Sequence, residues 1–266
     1  MTAPTGTAPV GAYVICLNEA DVIADCISSL APCREIVVVD SGSTDGTLEI
    51  VERFQRDGWP VRLMHNSWPG YARQKQFALE QVSQPWALCL DADERLDETL
   101  AGDLPSIVGN ADGVSAFRLR RRLWLYGYGW AHPLTHLGRL TRLTRAGHAR
   151  YDDTTLVHEH VHVDGPTRDV SRGAILHRRA LPVREQIAKE GGYAALKAEQ
   201  LRRAGKGPRL GKLVFNPPYH FLRRWLGQRY CMSGWSGFIH SVVGAVYAFQ
   251  TEAILLERSR DEAADD

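Results

Sequence analysis

The sequence predicts an α/β fold with a mostly parallel sheet and helices on both faces, followed by a helical, amphipathic C-terminal extension. Three observations carry this. Over the first hundred residues, short continuous apolar runs alternate with stretches of helical periodicity, the pattern of βαβ units whose strands are buried on both sides. The runs stop at polar clusters: Asn18-Glu19, Asp40 to Asp45, and Asp91-Ala92-Asp93-Glu94. After Gly113 the pattern becomes an arginine-rich alternation, and after Val183 it becomes helical.

In order along the chain, residues 1–10 are rich in Thr, Ala and Pro and read as a disordered lead-in, without the basic-then-apolar pattern of a secretory signal. Tyr13 to Leu17 is the first strand. Val22, Ile23, Cys26, Ile27 and Leu30 recur at helical spacing, and Ile36 to Val39 is a β-branched strand ending at Asp40. Leu48, Val51 and Phe54 mark a second helix, closed by Gly58 and Pro60. Val61 to Met64, Tyr71 to Val82 and Trp86 to Leu90 follow as strand, helix and strand. Asp97, Glu98 and Thr99 precede a further helix. Ala116 to Tyr128 and Arg139 to Arg145 read as antiparallel strands, and Leu156 to Val163 alternates cleanly. Val183 to Arg203 is helical, weakened by Gly191-Gly192.

Composition narrows the class. The 266 residues are 44% hydrophobic and 24% charged, with a net charge of +1. That suits a globular chain with no global field to recruit nucleic acid. Five cysteines without a C-x-x-C pair point to a reducing compartment.

In an open parallel sheet, ligands bind at the carboxyl ends of the strands, so the three polar clusters converge on one crevice. Asp91 and Asp93, one residue apart after a buried strand, can share Mg²⁺ or Mn²⁺, which take one or two carboxylates plus substrate phosphates; the alternative is an acidic cluster before a helix. The loop from Asp40 to Thr47 combines two glycines with hydroxyls and carboxylates, but has neither G-x-G-x-x-G nor a P-loop lysine. Thr44 or Asp45 could alternatively cap the next helix. His158, His160 and His162 lie on one strand face, which suits exposed strand residues better than a zinc site. Arg118, Arg120, Arg121, Arg122, Arg139, Arg142 and Arg145 suit either a solvated strand edge or an anionic ligand. Tyr126, Tyr128, Trp130 and His132 could stack on a sugar or form a small core of their own.

Five motifs occur in order: Cys16-Leu-Asn-Glu19, Asp40-Ser-Gly-Ser-Thr-Asp-Gly-Thr47, Gln74-Lys75-Gln-Phe-Ala-Leu79, Leu90-Asp-Ala-Asp-Glu94 and Val157-His-Glu159. Together they resemble the inverting glycosyltransferase family 2 of the GT-A fold, and within it the lipopolysaccharide core biosynthesis glucosyltransferases of the WaaE/KdtX type, over roughly Ala12 to Glu257. The resemblance implies residues 11–112 as a nucleotide-sugar-binding half, 113–180 as the acceptor-binding half of the same domain, and 181–266 as a membrane-associating extension. It implies that Asn18, Glu19, Asp40, Ser41, Gly42, Ser43, Asp45, Gln74, Lys75, Asp91 and Ala92 bind the UDP-sugar, that Asp93 with Asp91 holds Mg²⁺ or Mn²⁺, and that Glu159 is the general base. Asp153 is the runner-up for the base, and Trp130, His132 and Arg139 are acceptor candidates. Two departures stand out: Gln76 where the family has Asn, and Ser233-Gly234 where it often has Asp-Gly.

The implied reaction is inverting transfer of a sugar, a hexose by expectation, to a hydroxyl of a lipopolysaccharide-core or other lipid-linked acceptor. The setting is cytoplasmic, peripheral on the inner face of the cytoplasmic membrane. Residues 201–230 carry eight Lys and Arg and no carboxylate. Phe238 to Phe249 is apolar but flanked and interrupted by polar residues, which predicts an interfacial helix over a span. Two other readings remain: a sugar nucleotidyltransferase, disfavoured by the acidic loop after the first strand, and a catalytically inactive sugar- or lipid-binding adaptor.

Overall fold

The computed structural model describes residues 6–135, 138–152, 161–178 and 181–265. The chain forms two compact units. The first comprises residues 6–122, 138–152 and 161–178 of those described, and the second 123–135 and 181–265.

The first unit begins β1 (Ala8–Cys16), α1 (Ile23–Ser29), β2 (Cys33–Asp40), α2 (Thr47–Arg56), β3 (Val61–His65), α3 (Tyr71–Glu80) and β4 (Trp86–Asp91). It continues with β5 (Glu94–Leu96), α4 (Glu98–Gly109) and β6 (Ala116–Leu125), whose last residues enter the second unit and pair there with β7 (Gly129–Trp130). Then come β8 (Arg139–Arg145), β9 (Ala149–Tyr151), β10 (Val161–Val163), β11 (Thr167–Asp169) and β12 (Ile175–His177).

The main sheet runs β3-β2-β1-β4-β8-β6-β12-β5. Its first four strands are parallel, and β8 and β6 are antiparallel additions. Alternation along each parallel strand explains why both faces are apolar. Val10, Ala12, Val14, Ile36, Val38, Leu88 and Leu90 face a core that includes Ile23 and Ile27 of α1, Val51 and Phe54 of α2, and Leu100 and Leu104 of α4. Tyr13, Val37, Val39, Ala87 and Cys89 face Phe77 and Ala78 of α3.

Two expectations shift. β1 starts at Ala8, inside the segment read as a lead-in, because Ala8 and Val10 are fully buried and Ala8 hydrogen-bonds Pro32. A short β5 also follows directly on the acidic cluster; it pairs antiparallel with β12, a strand too short to show a period.

The second unit holds α5 (Val183–Arg203), α6 (Leu210–Leu222), a π-helical turn (Arg223–Gly227), a 3-10 turn (Tyr230–Ser233) and α7 (Gly234–Asp265). α5 runs straight through Gly191-Gly192, with Gly191 beside Gln250 of α7. α7 packs against both α5 and α6 and buries Ser241, Val243, Ala248 and Leu255. It is therefore the central helix of its unit, and it contains the stretch Phe238 to Phe249 expected to be interfacial, with Trp235, Ile239, Val242 and Phe249 exposed on it. The segment Tyr230–Ser259 is by length and composition long and apolar enough to cross a membrane.

Candidate active site

The carboxyl ends of β2, β1 and β4 lie side by side. Asp40 pairs in register with Cys16, and Asp91 with Ile15. Asp40 and Asp91 are thus two strands apart, about 10 Å across the end of β1.

Asp40 is almost completely buried. Its carboxylate accepts the N–H groups of Gly42 and Ser43 at 2.7 and 3.0 Å, the Ser43 hydroxyl, and the Cys16 thiol at 3.6 Å. Burial would raise its pKa, but the bonds from Ser43 and Gly42 outweigh that and hold it below the usual carboxylate value. Gly42 and Gly46 sit at φ 105° and 94°, the left-handed region that fits this tight loop.

Most of the polar residues beyond Asp40 staple two loops together. The backbone N–H of Asn18 donates to Ser43 Oγ at 2.9 Å, that of Glu19 to Thr47 Oγ1 at 2.8 Å, and that of Ala20 to Asp45 Oδ2 at 3.1 Å. Asn18, left-handed at φ 55°, accepts the Thr44 N–H in return at 2.8 Å. Asp45 also receives the Thr47 hydroxyl and N–H, which lower its pKa. Gln74 is fully buried and joins Ser41 Oγ, Asn66 O and Asn66 Nδ2 at 2.6 to 3.0 Å. Asn18, Ser43, Asp45 and Gln74, expected to touch a nucleotide, also tie the crevice loops together: Asn18 with Ser43 and Thr44, Asp45 with Ala20 and Thr47, and Gln74 with Ser41 and Asn66.

The acidic cluster is divided in two. Asp91 Oδ1 meets Lys75 Nζ at 2.8 Å and Oδ2 meets Arg142 Nη2 at 2.7 Å. Burial opposes its ionisation, yet Arg142 and then Lys75 hold it well below the ordinary range. Glu94, with no exposed side-chain surface, meets Arg142 at 3.0 Å and Arg121 at 3.7 Å, and accepts the Asp91 N–H. Asp93 points elsewhere: its Oδ2 lies 3.3 Å from His177 Nε2 on β12. Ala92 is buried between them.

This bears on metal binding. Both oxygens of Asp91 are engaged by cations, so it is a poor metal ligand as it stands. Asp93 with His177 supplies one carboxylate oxygen and one imidazole nitrogen, a donor pair suited to a divalent ion that also takes phosphate oxygens. Among the described residues no cluster of three or more His, Cys, Asp or Glu could hold a metal alone. The expected pair, Asp91 and Asp93, thus differ in surroundings: Asp91 lies between Lys75 and Arg142, and Asp93 beside His177.

Glu159 and Asp153, with His158 and His160, lie outside the described residues. The strand before them is anchored at Tyr151, whose hydroxyl meets that of Tyr13 at 2.8 Å and whose N–H donates to Gln76 Oε1 at 2.8 Å. The family's usual Asn at 76 is one methylene shorter, so Gln76 has a structural use here.

Of the acceptor candidates, Arg139 is paired with Asp169 at 3.4 Å, and Arg118 with the same carboxylate at 2.6 Å. In the second unit, Trp130 packs edge-on against Trp124 at 5.1 Å, and the His132 N–H donates to buried Ser233 Oγ at 3.0 Å. Leu125, Ala131 and Tyr230 form a small core there.

The sequence left Arg142 open between a solvated edge and an anionic ligand, and gave Glu94 no role beyond its motif. A signal for Arg142 existed: Arg139, Arg142 and Arg145 are spaced by three, so on a strand the middle one must face opposite to its neighbours. His177, followed by Arg178 and Arg179, read as close to the rim of the site with an open role; its three-residue strand shows no period that would orient it.

A sheet whose parallel half ends in such a crevice defines an α/β ligand-binding fold of the GT-A class. The structure superposes on S. aureus TarS residues 1–349 in complex with UDP (TM-score 0.52, 14% identity, 95% of this chain and 91% of that one). It also superposes on the mannosyltransferase PcManGT from Pyrobaculum calidifontis in complex with GDP-Man and Mn²⁺ (TM-score 0.50, 19% identity, 98% and 77%). At these identities the likeness concerns the fold. In sequence, the chain is 47% identical over 250 residues to the lipopolysaccharide core biosynthesis glycosyltransferase LpsC of Rhizobium meliloti strain 1021, covering 94% of this chain and 93% of that one. The glycosyl transferase family 2 profile matches residues 12–162. The chain belongs to glycosyl transferase family 2 and is a glycosyltransferase.

Proposed function

We propose that this enzyme transfers a hexose from a UDP-sugar to a hydroxyl of a lipopolysaccharide-core or other lipid-linked glycan, with inversion, at the cytoplasmic face of the inner membrane. The observation that carries the donor assignment is the crevice across β1, with Asp40 at one side and Lys75, Arg142, Asp91, Asp93 and His177 at the other. A span of about 10 Å between the two sides suits a nucleoside at one end and a diphosphate at the other. The 47% identity to a relative named for lipopolysaccharide core biosynthesis supports the acceptor class. The UDP complex of TarS supports the nucleotide and the Mn²⁺ complex of PcManGT supports a metal, both through a shared fold.

In this reading Asp40, kept ionised by its loop, accepts hydrogen bonds from the nucleoside. Lys75 orients the diphosphate while remaining tied to Asp91, and Arg142 keeps Asp91 and Glu94 in place from beneath. Asp93 and His177 would hold Mg²⁺ or Mn²⁺, which when bound offsets negative charge on the departing diphosphate. Glu159, with Asp153 as runner-up, takes the acceptor hydroxyl's proton on the opposite side of the sugar, so that a single displacement inverts the anomeric carbon.

The test is transfer from a panel of UDP-sugars and GDP-mannose onto truncated lipopolysaccharide, with product stereochemistry read by NMR. An inverted linkage formed from one UDP-sugar supports the reading. Preference for GDP-mannose, or retention of configuration, overturns it in that part.

A further inference from the structure

The second unit leaves one helix face without a partner. α6 buries none of its residues. Its inner side turns half-buried Leu213, His220 and Phe221 towards α7, and Phe221 meets Phe238 there at 5.5 Å. Its outer side presents Val214, Phe215 (71% exposed), Tyr219 (60%) and Leu222, continued by Leu226 on the π-helical turn. At the junction with α7, Trp235 is 80% exposed, its ring held edge-on by Phe238. Contiguous apolar exposure of this extent marks an interaction surface.

Charge identifies the partner. No carboxylate occurs between Glu199 and Glu252. Arg209, Arg223 and Arg229 are exposed beside the apolar row. A second copy docking through the same face about a two-fold axis would set these cations against each other. An anionic phospholipid surface meets both features at once: it takes up the aromatic and aliphatic side chains and pairs its headgroups with the arginines.

We propose that the outer face of α6, extended through Leu226, is the docking surface for an anionic bilayer, and that α7 acts as its internal support. This rests on the reading that the acceptor is lipid-linked, and within the expected membrane-associating extension it assigns the contact to α6, not to the stretch Phe238 to Phe249. In a basic helix at an interface, Phe215 and Tyr219 lie at headgroup depth and Arg209 and Arg223 flank them.

The test is co-sedimentation of the full chain with sucrose-loaded vesicles of phosphatidylglycerol and phosphatidylcholine, or of phosphatidylcholine alone, at low and high salt. The wild type is expected to bind the anionic vesicles in a salt-sensitive way. F215S/Y219S/L222S should lower the partition coefficient by about tenfold or more, and R209E/R223E should remove the preference for phosphatidylglycerol. F249S, an exposed position on α7, should bind as wild type. Circular dichroism and thermal melting establish that each variant is folded, and F215S alone replaces the triple variant if that one melts early. Wild-type binding by the α6 variants overturns the proposal, as does failure of the wild type to bind either vesicle, or a lipid-free dimer that the triple variant dissociates. Donor hydrolysis by the same preparations separates the two readings: vesicle binding through α6 without turnover of any UDP-sugar leaves the docking surface standing and removes the UDP-sugar donor proposed above.

Discussion

Arg142 Nη2 lies 2.7 Å from Asp91 Oδ2 and 3.0 Å from Glu94, so one guanidinium on an antiparallel strand holds two carboxylates of the acidic cluster at the end of a parallel strand. Both acids are served by the same nitrogen, Nη2, while Nη1 turns to Cys89 Sγ at 3.4 Å. The cluster is thus internally neutralised by Arg142 and Lys75, and Asp93 with His177 stands apart from it.

Replacing Arg142 by Met should destabilise the first unit by about 3 to 5 kcal/mol, because buried Glu94 loses its nearest cation. Urea unfolding followed by tryptophan fluorescence measures this. Arg142→Lys should recover only part, because an ammonium lacks the second nitrogen that reaches Cys89 and the planar geometry that fixes the contact.

Stability should fall in acid earlier for the wild type than a comparison of its exposed carboxylates suggests. Asp91 and Asp40 both have folded pKa values below the ordinary value of about 3.9. Their contribution is complete above that pH and is lost as pH falls towards the lowered folded values. Asp91→Asn should flatten the dependence of unfolding free energy on pH below about 4; an unchanged slope would count against the Lys75 and Arg142 pairing.

His177→Ala should raise the Mn²⁺ concentration for half-maximal effect by about 10- to 100-fold. The readout is the melting shift given by UDP with increasing Mn²⁺, which needs no turnover. Asp93→Asn should abolish the metal-dependent part of that shift, whereas equal Mn²⁺ response in both variants would remove this pair from the metal site.

Glu159→Gln should lower transfer by on the order of 10²- to 10⁴-fold while donor binding persists. If Asp153→Asn gives that phenotype instead, the base is Asp153.

Gly237→Ala should destabilise the second unit by about 2 kcal/mol. A Cβ there would stand 2.0 Å from the Tyr230 carbonyl oxygen, a backbone atom that cannot step aside. Differential scanning calorimetry would record the loss.

Much of this protein is readable from local pattern. The apolar runs at Val61 to Met64 and Trp86 to Leu90 are strands within one residue of their observed ends, Ile36 to Val39 is a strand that starts three residues earlier, at Cys33, and Val183–Arg203 is a single helix. Buried parallel strands and amphipathic helices write their periods directly into sequence. The position of Asp40, Asp91 and Asp93 after strands was equally legible, and so was their convergence, because parallel strands share one carboxyl edge.

What each polar residue does there was decided by tertiary structure alone. Asn18 bonds Ser43 and Thr44, and Ala20 bonds Asp45, between loops 25 or 26 residues apart in sequence. Arg142 and His177 arrive from strands added 51 and 84 positions after the acids they meet. α6 reads as basic and aromatic and α7 as apolar, and only packing left α6 outermost. Period reports which side of an element is apolar; which neighbour covers that side, and which charge sits opposite a given carboxylate, depends on contacts between residues far apart in the chain.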